Sequence, residues 1–275
     1  MAQVSCQAPR VAKPLLLIPP SEAKAPGGEG PPWSDSARAF PVLDPERREV
    51  ISALRRAMRG DATAAAKLLG LGAATAAEAI SHNRVIDSAP TMPAMARYQG
   101  VLYDALDYPG LAARQRKRID EQVAIVSAVW GVLAPTDPIP DYKLKMSASL
   151  DPLGRLSTWW RPAVSRVLDG LASDRVVWNL LPTEHSTAWR HDGSAKAIIR
   201  VRFLDEVERH GRRELVTVSH WNKLLKGALV RHVVAHQVED PDALVDFEHP
   251  QGYVYRPELS DVKGLELDVA LVAVR

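Results

Sequence analysis

The chain has 275 residues, of which 46% are hydrophobic and 25% are charged, and its formal net charge is +2. These values exclude a disordered or collagen-like chain, and the length permits one large domain or two small ones. The near-zero charge also excludes a protein that binds nucleic acid through overall basicity, so any phosphate site must be a local patch.

The single cysteine, Cys6, excludes a disulfide within the chain and a cysteine zinc site, so we expect no disulfide partner. No apolar run approaches the roughly 18 residues that a membrane span needs. We therefore expect a cytoplasmic protein without membrane association. Residues 1–13 are predicted to form a disordered tail, and residues 14–275 a single domain.

The first predicted element is a buried strand over residues 15–18, which consist of Leu-Leu-Leu-Ile and are followed by two prolines that end the strand. A long loop rich in proline and glycine continues to residue 33 and contains Ser21 and Lys24. Ligand-binding groups commonly follow the carboxyl ends of strands in α/β sheets. This loop is therefore predicted to be functional, with a flexible surface linker as the alternative.

Residues 45–82 form a predicted helical segment. Asp61 is typical of a helix N-cap, and two short helices would flank Gly70-Leu71-Gly72. This is the pattern of a helix-hairpin-helix, in which glycines let backbone N–H groups approach a phosphate at the positive end of a helix. Lys67, Gly70 and Gly72 are the predicted DNA-backbone contacts, although a plain packing hairpin remains an open alternative.

The remainder of the chain mixes strands and helices without a regular repeat. The predicted strands and helices cover 123–130 (strand or helix), 157–171 (helix), 175–180, 198–204 and 214–218 (strands), 220–236 (helix), and 252–255 and 265–274 (closing strands). This pattern predicts one mixed α/β (α+β) domain with a central mixed sheet and an inserted helix-hairpin-helix.

Two lysine pairs are candidates for binding an anion. Lys143 and Lys145 would share one face of an extended segment, and Lys223 and Lys226 would share one face of a helix. Trp221 lies beside the second pair, and an aromatic ring next to cations suits stacking and phosphate neutralisation. The alternative is that these lysines form a solvated surface.

Polar side chains also follow the predicted strand 175–180. Asn179 and Glu184 would lie near its carboxyl end, where Glu184 could act as an acid or base. A carboxylate at a helix start can equally serve only to complement the helix dipole. Both interpretations stay open from the sequence.

The sequence predicts no metal site and no cofactor. His232 and His236 have the i, i+4 spacing of a metal pair, but no third ligand accompanies them on that face. Phosphate-binding glycine loops and the common hydrolase motifs are also absent.

The order of these segments resembles the YaaA family of peroxide stress proteins, from about residue 15 to residue 255. The segments that carry the likeness are Pro20-Ser-Glu-Ala-Lys24, Tyr98-Gln-Gly-Val-Leu-Tyr103, Ser127-Ala-Val-Trp130 through Asp137, Pro140-Asp-Tyr-Lys-Leu-Lys-Met146, Trp159-Trp160, Val177-Trp-Asn-Leu180, Phe203-Leu-Asp205, Lys226-Gly227 and Gly252-Tyr253. Two parts depart from the family pattern: the Pro-Gly-Gly after Lys24, and the ending over residues 256–275.

The resemblance implies a mixed α/β fold with a helix-hairpin-helix, a positively charged cleft, DNA binding and a cytoplasmic role against hydrogen peroxide. Position by position, it implies cleft residues at Ser21, Lys24, Tyr142, Lys143, Lys145, Asn179, Glu184, Lys223 and Lys226.

Two functions follow as hypotheses. In the first, the hairpin and the cleft bind DNA during peroxide stress. In the second, the chain is an enzyme of a divergent branch that acts on a small phosphorylated or nucleotide-like substrate, with Ser21, Lys24 and Glu184 as catalytic residues. Whether the protein is an enzyme is left open by the sequence, as is the choice between DNA and a small anionic ligand as partner.

Overall fold

The computed structural model describes residues 13–218, 222–247, 249 and 251–275. The helices in this part of the chain are α1 (Asp44–Arg59), α2 (Ala62–Leu69), α3 (Ala73–Arg84), α4 (Ala94–Arg97), α5 (Val101–Leu106), α6 (Ala113–Gln122), α7 (Leu156–Trp159), α8 (Arg161–Ala172), α9 (Thr183–Ser186) and α10 (Asn222–His236). Short 3-10 turns cover Trp33–Asp35, Pro41–Leu43, Pro241–Asp246 and Pro257–Leu259.

The strands are β1 (Leu15–Ile18), β2 (Ala23–Lys24), β3 (Met92–Pro93), β4 (Tyr98–Gln99), β5 (Val123–Ser127), β6 (Gly131–Leu133), β7 (Pro138–Ile139), β8 (Ser149–Leu150), β9 (Gly154–Arg155), β10 (Val176–Asn179), β11 (Ala197–Arg209), β12 (Arg212–Thr217), β13 (Val254–Tyr255), β14 (Asp261–Lys263) and β15 (Glu266–Val274). None of the helices in the described ranges is long and apolar enough to cross a membrane.

One mixed sheet organises the molecule, and its order in the described residues is β13-β15-β11-β10-β1-β5-β6. Strands β12 and β14 add to β11 and β15 as antiparallel partners. Strand β1 is parallel to β10 on one side and to β5 on the other. The mixed α/β fold with a central mixed sheet in a single domain is therefore confirmed.

The middle of the sheet is buried on both faces. All four residues of β1 are buried, as are all residues of β5 and β10. Continuous apolar runs are typical of parallel strands that helices cover on both sides. The indoles of Trp160 and Trp178 are also fully buried, and they donate to the carbonyls of Ala128 at 2.8 Å and Val238 at 3.1 Å.

The position of β1 fixes where a ligand site can form. The chain leaves β1 for β5 on one side and later returns to β10 on the other side, so the direction of the crossovers changes at β1. Ligands of open α/β sheets bind outside the carboxyl ends of the strands at such a switch point. Residues 19–24 occupy this place.

The helical segment agrees with the predicted boundaries to within two residues. Asp61 caps α2 by accepting a hydrogen bond from the amide of Ala64 at 2.8 Å. Gly70 has a φ of +66°, and its amide donates to the Lys67 carbonyl at 3.1 Å, so this N–H closes α2. The predicted contact of Lys67, Gly70 and Gly72 with a DNA backbone stays a prediction, as does the helix-hairpin-helix.

Two segments differ from their predictions. Strand β15, predicted as a closing strand, lies inside the sheet between β11 and β13, and its residues 269–273 are all buried. Lys13 was expected in the tail, but its carbonyl accepts a hydrogen bond from Arg175 at 2.6 Å. The other tail residues, with Cys6, lie outside the described ranges, as do His220 and Trp221.

Helix α10 packs closely on α5 because Gly227 carries no side chain. A Cβ at this position would lie 2.1 Å from the carbonyl oxygen of Leu102, which is backbone and has little freedom to move. We expect Gly227→Ala to lower the free energy of unfolding by about 1–3 kcal/mol through overpacking. Chemical denaturation measures this change.

The matched control is Gly170→Ala in α8, where a Cβ would meet nothing within 4 Å. This substitution should raise the free energy of unfolding by about 1 kcal/mol, because alanine favours helix more than glycine does. Equal effects of the two substitutions would contradict the close packing of α10 on α5.

Candidate functional site

A cavity of about 550 Å³ lies beyond the carboxyl end of β1, and we call it the lysine cavity. Its lining is built from the loop after β1, the start of α5, the segment 142–145, the start of α9 and one residue of α10. The charged side chains of the lining are Glu22, Lys24, Lys143, Lys145, Glu184 and Lys223. Four lysines against two glutamates give the lining a positive balance.

Seven of the residues that the sequence predicts for the cleft lie together in the structure. Ser21, Lys24, Tyr142, Lys143, Lys145, Glu184 and Lys223 all line the lysine cavity. Their sequence positions span about 200 residues, so the tertiary fold creates this cluster.

Two nominated residues lie outside the lining that the described residues form. The Asn179 side chain accepts from the amide of Leu181 at 3.2 Å and contacts Ser186, which turns the chain at the end of β10. The amine of Lys226 donates to the Leu180 carbonyl at 2.8 Å, and burial lowers the pKa of Lys226 to about 8. Both side chains stabilise the backbone after β10, behind the cavity.

The hairpin residues lie next to a second hollow of about 500 Å³, lined by Lys67, Gly70 and Lys145 among others. A Cβ on Gly70 would lie 3.2 Å from the Lys145 amine. Lys145 therefore belongs to the walls of both hollows. Gly72 lines neither of them and begins α3 as its N-cap.

Lys143 and Lys145 are held at the rim by Glu22. The Glu22 carboxylate accepts from Lys143 at 2.6 Å and lies 3.6 Å from Lys145, as their i, i+2 spacing on one extended face predicts. Partial burial acts to raise the pKa of Glu22, but the hydrogen bond from Lys143 and the charges of the nearby lysines outweigh it and lower that pKa.

Helix α3 fixes the backbone of this lysine segment. The Asn83 side chain is fully buried, accepts from the Lys143 amide at 2.9 Å and donates to the Lys143 carbonyl at 2.8 Å. One residue earlier on α3, the His82 ring lies 3.3 Å from the Asp141 carboxylate. The helical segment thus sets the position of one wall of the cavity.

Lys24 lies deeper, in the short strand β2, whose partner is β4. Its amine donates to the Ser21 carbonyl at 3.1 Å and lies 4.2 Å from the centre of the Tyr142 ring. Burial lowers the pKa of Lys24 to about 7, helped by the charges of Lys143 and Arg97 and opposed by those of Asp141 and Glu22. A large fraction of this amine is therefore neutral at pH 7.

Buried hydroxyl groups lie behind Lys24. The Tyr142 hydroxyl is 2.7 Å from that of Tyr98 and 2.8 Å from that of Ser127. Burial raises the pKa of Tyr142 to about 12, so the phenol stays protonated near neutral pH. This network orients the ring that Lys24 contacts.

The sequence did not nominate His185, although this residue lines the cavity beside Glu184. Its side chain is buried, and within the described part of the chain its Nδ1 has no hydrogen-bond partner. Burial lowers the pKa of His185, against the opposing charge of Glu184, so the ring is neutral at pH 7. The signal available in the sequence was its position next to Glu184 after β10.

In the ranges that the structure describes, no group of three or more His, Cys, Asp or Glu side chains could hold a metal ion. The rings of His232 and His236 do lie close, with centres 4.6 Å apart.

Comparison with known proteins assigns most of the chain to one family. The family model described as "Peroxide stress protein YaaA" matches residues 15–259. The chain belongs to the YaaA peroxide stress protein family. This match covers the elements that build the lysine cavity, and it ends before the last strand, β15.

Several curated relatives are UPF0246 proteins. The chain is 34% identical to one from Streptomyces coelicolor over 247 residues, which is 89% of this chain and 92% of the relative. It is 36% identical to one from Corynebacterium glutamicum over 235 residues, covering 82% and 89% of the two chains. A more distant relative from Roseobacter denitrificans is 28% identical over 239 residues, covering 83% and 90%.

The depressed pKa of Lys24 makes stability depend on pH. The unfolded chain holds this proton up to about pH 10.5 and the folded chain only up to about pH 7, so folding releases a proton between these values. The contribution of Lys24 to the free energy of unfolding therefore rises with pH between about pH 7 and pH 10.5. We expect Lys24→Met to stabilise the fold most at pH 6 and progressively less towards pH 10, as measured by urea denaturation.

The control is Lys117→Met, because Lys117 is exposed on α6. Its difference from the wild type should change less over the same pH range than that of Lys24→Met. A Lys24→Met difference that does not change with pH would show that Lys24 keeps an ordinary pKa.

Proposed function

We propose that this protein binds DNA during the response to hydrogen peroxide, in the cytoplasm, with phosphates held at the rim of the lysine cavity and along the turn between α2 and α3. Family membership supports the peroxide role. The observation that carries the DNA proposal is the position of Lys145, which borders both the lysine cavity and the hollow beside Gly70. A bound strand could therefore contact the cavity rim and the hairpin together.

The charge distribution favours local binding of a phosphate backbone. The chain as a whole carries only +2, yet Lys143, Lys145 and Lys223 converge on one opening. Lysine ammonium groups neutralise phosphates without reading bases, and they give affinity that falls steeply with salt. Binding through this opening should thus be insensitive to sequence.

A second candidate function is an enzyme that acts on a small phosphorylated or nucleotide-like substrate. The cavity of about 550 Å³ has the size of a small-molecule site. Its interior contains a lysine whose pKa lies near 7 and a buried histidine with an unpartnered nitrogen in the described structure. Groups with such perturbed protonation are typical of catalytic sites. A thermal-shift screen with nucleotides and sugar phosphates tests this candidate, and a uniform lack of response would count against it.

Replacement of the three rim lysines tests the DNA proposal. We expect the triple variant Lys143→Ala, Lys145→Ala, Lys223→Ala to bind duplex DNA at least about tenfold more weakly at 50 mM salt. The slope of log affinity against log salt should also become shallower by about 0.9 for each phosphate that the variant no longer neutralises. Fluorescence anisotropy at several salt concentrations measures both quantities.

The matched control replaces three exposed lysines outside the lining, Lys117, Lys196 and Lys263, by alanine. It removes the same charge, so a loss of affinity equal to that of the rim variant would contradict a local site. Wild-type protein without salt-sensitive DNA affinity would overturn the proposal itself.

Glu22 should act as a competitor of phosphate at the rim. Its carboxylate forms ion pairs with the amines of Lys143 and Lys145, so a phosphate must displace this carboxylate or bind beside it. Glu22→Gln removes this charge, and the loss of about 1 kcal/mol of repulsion predicts DNA affinity about fivefold higher.

Glu78→Gln is the control for this prediction, because it removes one exposed carboxylate from α3, where Glu78 does not line the cavity. A smaller gain is expected from it. Weaker binding by Glu22→Gln would instead mean that Glu22 serves mainly to position the lysines.

A further inference from the structure

Lys24 differs from the rim lysines in what surrounds its amine. Lys143 and Lys145 lie against the Glu22 carboxylate, whereas the structure, over the residues it describes, places no carboxylate within 4.0 Å of the Lys24 amine. The Lys24 amine instead lies 4.2 Å and 5.7 Å from the ring centres of Tyr142 and Tyr98. Its hydrogen bond goes to a backbone carbonyl, that of Ser21.

This environment suits a reactive amine better than a phosphate ligand. A lysine that binds phosphate must carry its proton, and a neighbouring carboxylate helps to keep it. Burial without a carboxylate partner has the opposite effect, and the pKa of Lys24 near 7 reflects it. The charged groups that act on Lys24 are Asp141 and Glu22, which favour its proton, and Lys143 and Arg97, which disfavour it.

We propose that Lys24 forms an imine with the open-chain aldehyde of a phosphate-bearing sugar in the lysine cavity. The inference rests on the proposed function, because the rim lysines must hold the phosphate while the aldehyde reaches the interior. Such an aldehyde occurs in DNA at an abasic site and also in free sugar phosphates. Both sources present the same two groups, a phosphate and a carbonyl carbon a few bonds away.

The chemistry balances without an oxidant or a reductant. The lone pair of the neutral amine attacks the carbonyl carbon, the nitrogen gives up one proton and the oxygen gains one, which gives a neutral carbinolamine. A further proton, drawn from solvent, converts the hydroxyl to water; the carbon–oxygen bond breaks, water leaves, and the nitrogen lone pair forms the C=N bond of a protonated imine. One water is released for each imine formed.

Neighbouring side chains fit each stage of this reaction. The faces of Tyr142 and Tyr98 stabilise the positive charge of the protonated imine, as they would that of the lysine itself. Glu184 and His185 line the same cavity and can take up and return the proton that the departing water requires. The His185 Nδ1 lies 3.6 Å from the Glu184 carboxylate and has no hydrogen-bond partner among the described residues, so the two side chains can share this proton.

Reductive trapping tests the inference. The full chain is incubated at pH 7 with sodium cyanoborohydride and either a duplex that contains one abasic site or free ribose 5-phosphate. We expect a covalent adduct by intact mass spectrometry, and peptide mapping should locate it at Lys24. The arm that yields the adduct identifies the source of the aldehyde.

Matched variants distinguish imine formation by Lys24 from a role of its positive charge alone. Lys24→Arg keeps a cation but cannot form an imine, so both Lys24→Arg and Lys24→Ala should lose at least about 90% of the adduct. Lys196→Arg, an exposed conservative change, should keep it. Circular dichroism and thermal unfolding show whether each variant is folded.

Binding and trapping together distinguish this inference from the proposed function. Wild-type protein that binds DNA through its rim lysines but gives no adduct would overturn the imine and leave the DNA proposal standing. Adducts spread evenly over exposed lysines, or kept in a folded Lys24→Arg, would also overturn it. Failure of both binding and trapping would overturn the two proposals together.

Discussion

The burial of β1 between two parallel neighbours is the constraint on which the rest of the structure depends. Four consecutive apolar residues are covered on every side, and two prolines then stop the pairing at the edge of the sheet. The following residues must run across the crevice where the crossovers diverge. Ser21, Glu22 and Lys24 line the cavity for this reason. The position of the site is therefore set by the point at which β1 ends.

Side chains that bond to backbone groups keep this loop in place. Arg97 is fully buried, and its guanidinium donates to the carbonyls of Ala25, Gly27 and Ile139. These hydrogen bonds fix the position of the chain that follows Lys24. Asn83 does the same for Lys143 on the opposite wall. Buried donors are stable only when their partners are present. The cavity walls are thereby tied to α3 and α4, and a loop without regular structure can hold its lysines in fixed positions.

The sequence predicted the parts of the fold that depend on local patterns. The strand at 15–18, the cap at Asp61 and the strands predicted at 198–204 and 214–218 all follow from neighbours a few residues apart. It could not reveal that the Lys226 amine turns to the Leu180 carbonyl, because this bond depends on how α10 docks against β10. The pairing of Glu22 with Lys143 joins residues 121 positions apart and was equally hidden. His185 was missed because its burial, not its residue type, makes it noteworthy.

The lysines of the cavity are of two kinds, which differ in how deeply the amine is buried. At the opening, water and the Glu22 carboxylate support a charged amine, and an arriving phosphate can replace that carboxylate as the counter-ion. A few residues away, Lys24 lies against aromatic rings, where the removal of water disfavours the charge more than Asp141 and Glu22 favour it, so its pKa falls to about 7. The same residue type therefore holds an anion at the rim and offers a neutral amine inside. A ligand with a phosphate at one end and an electrophilic carbon at the other matches this gradient of polarity.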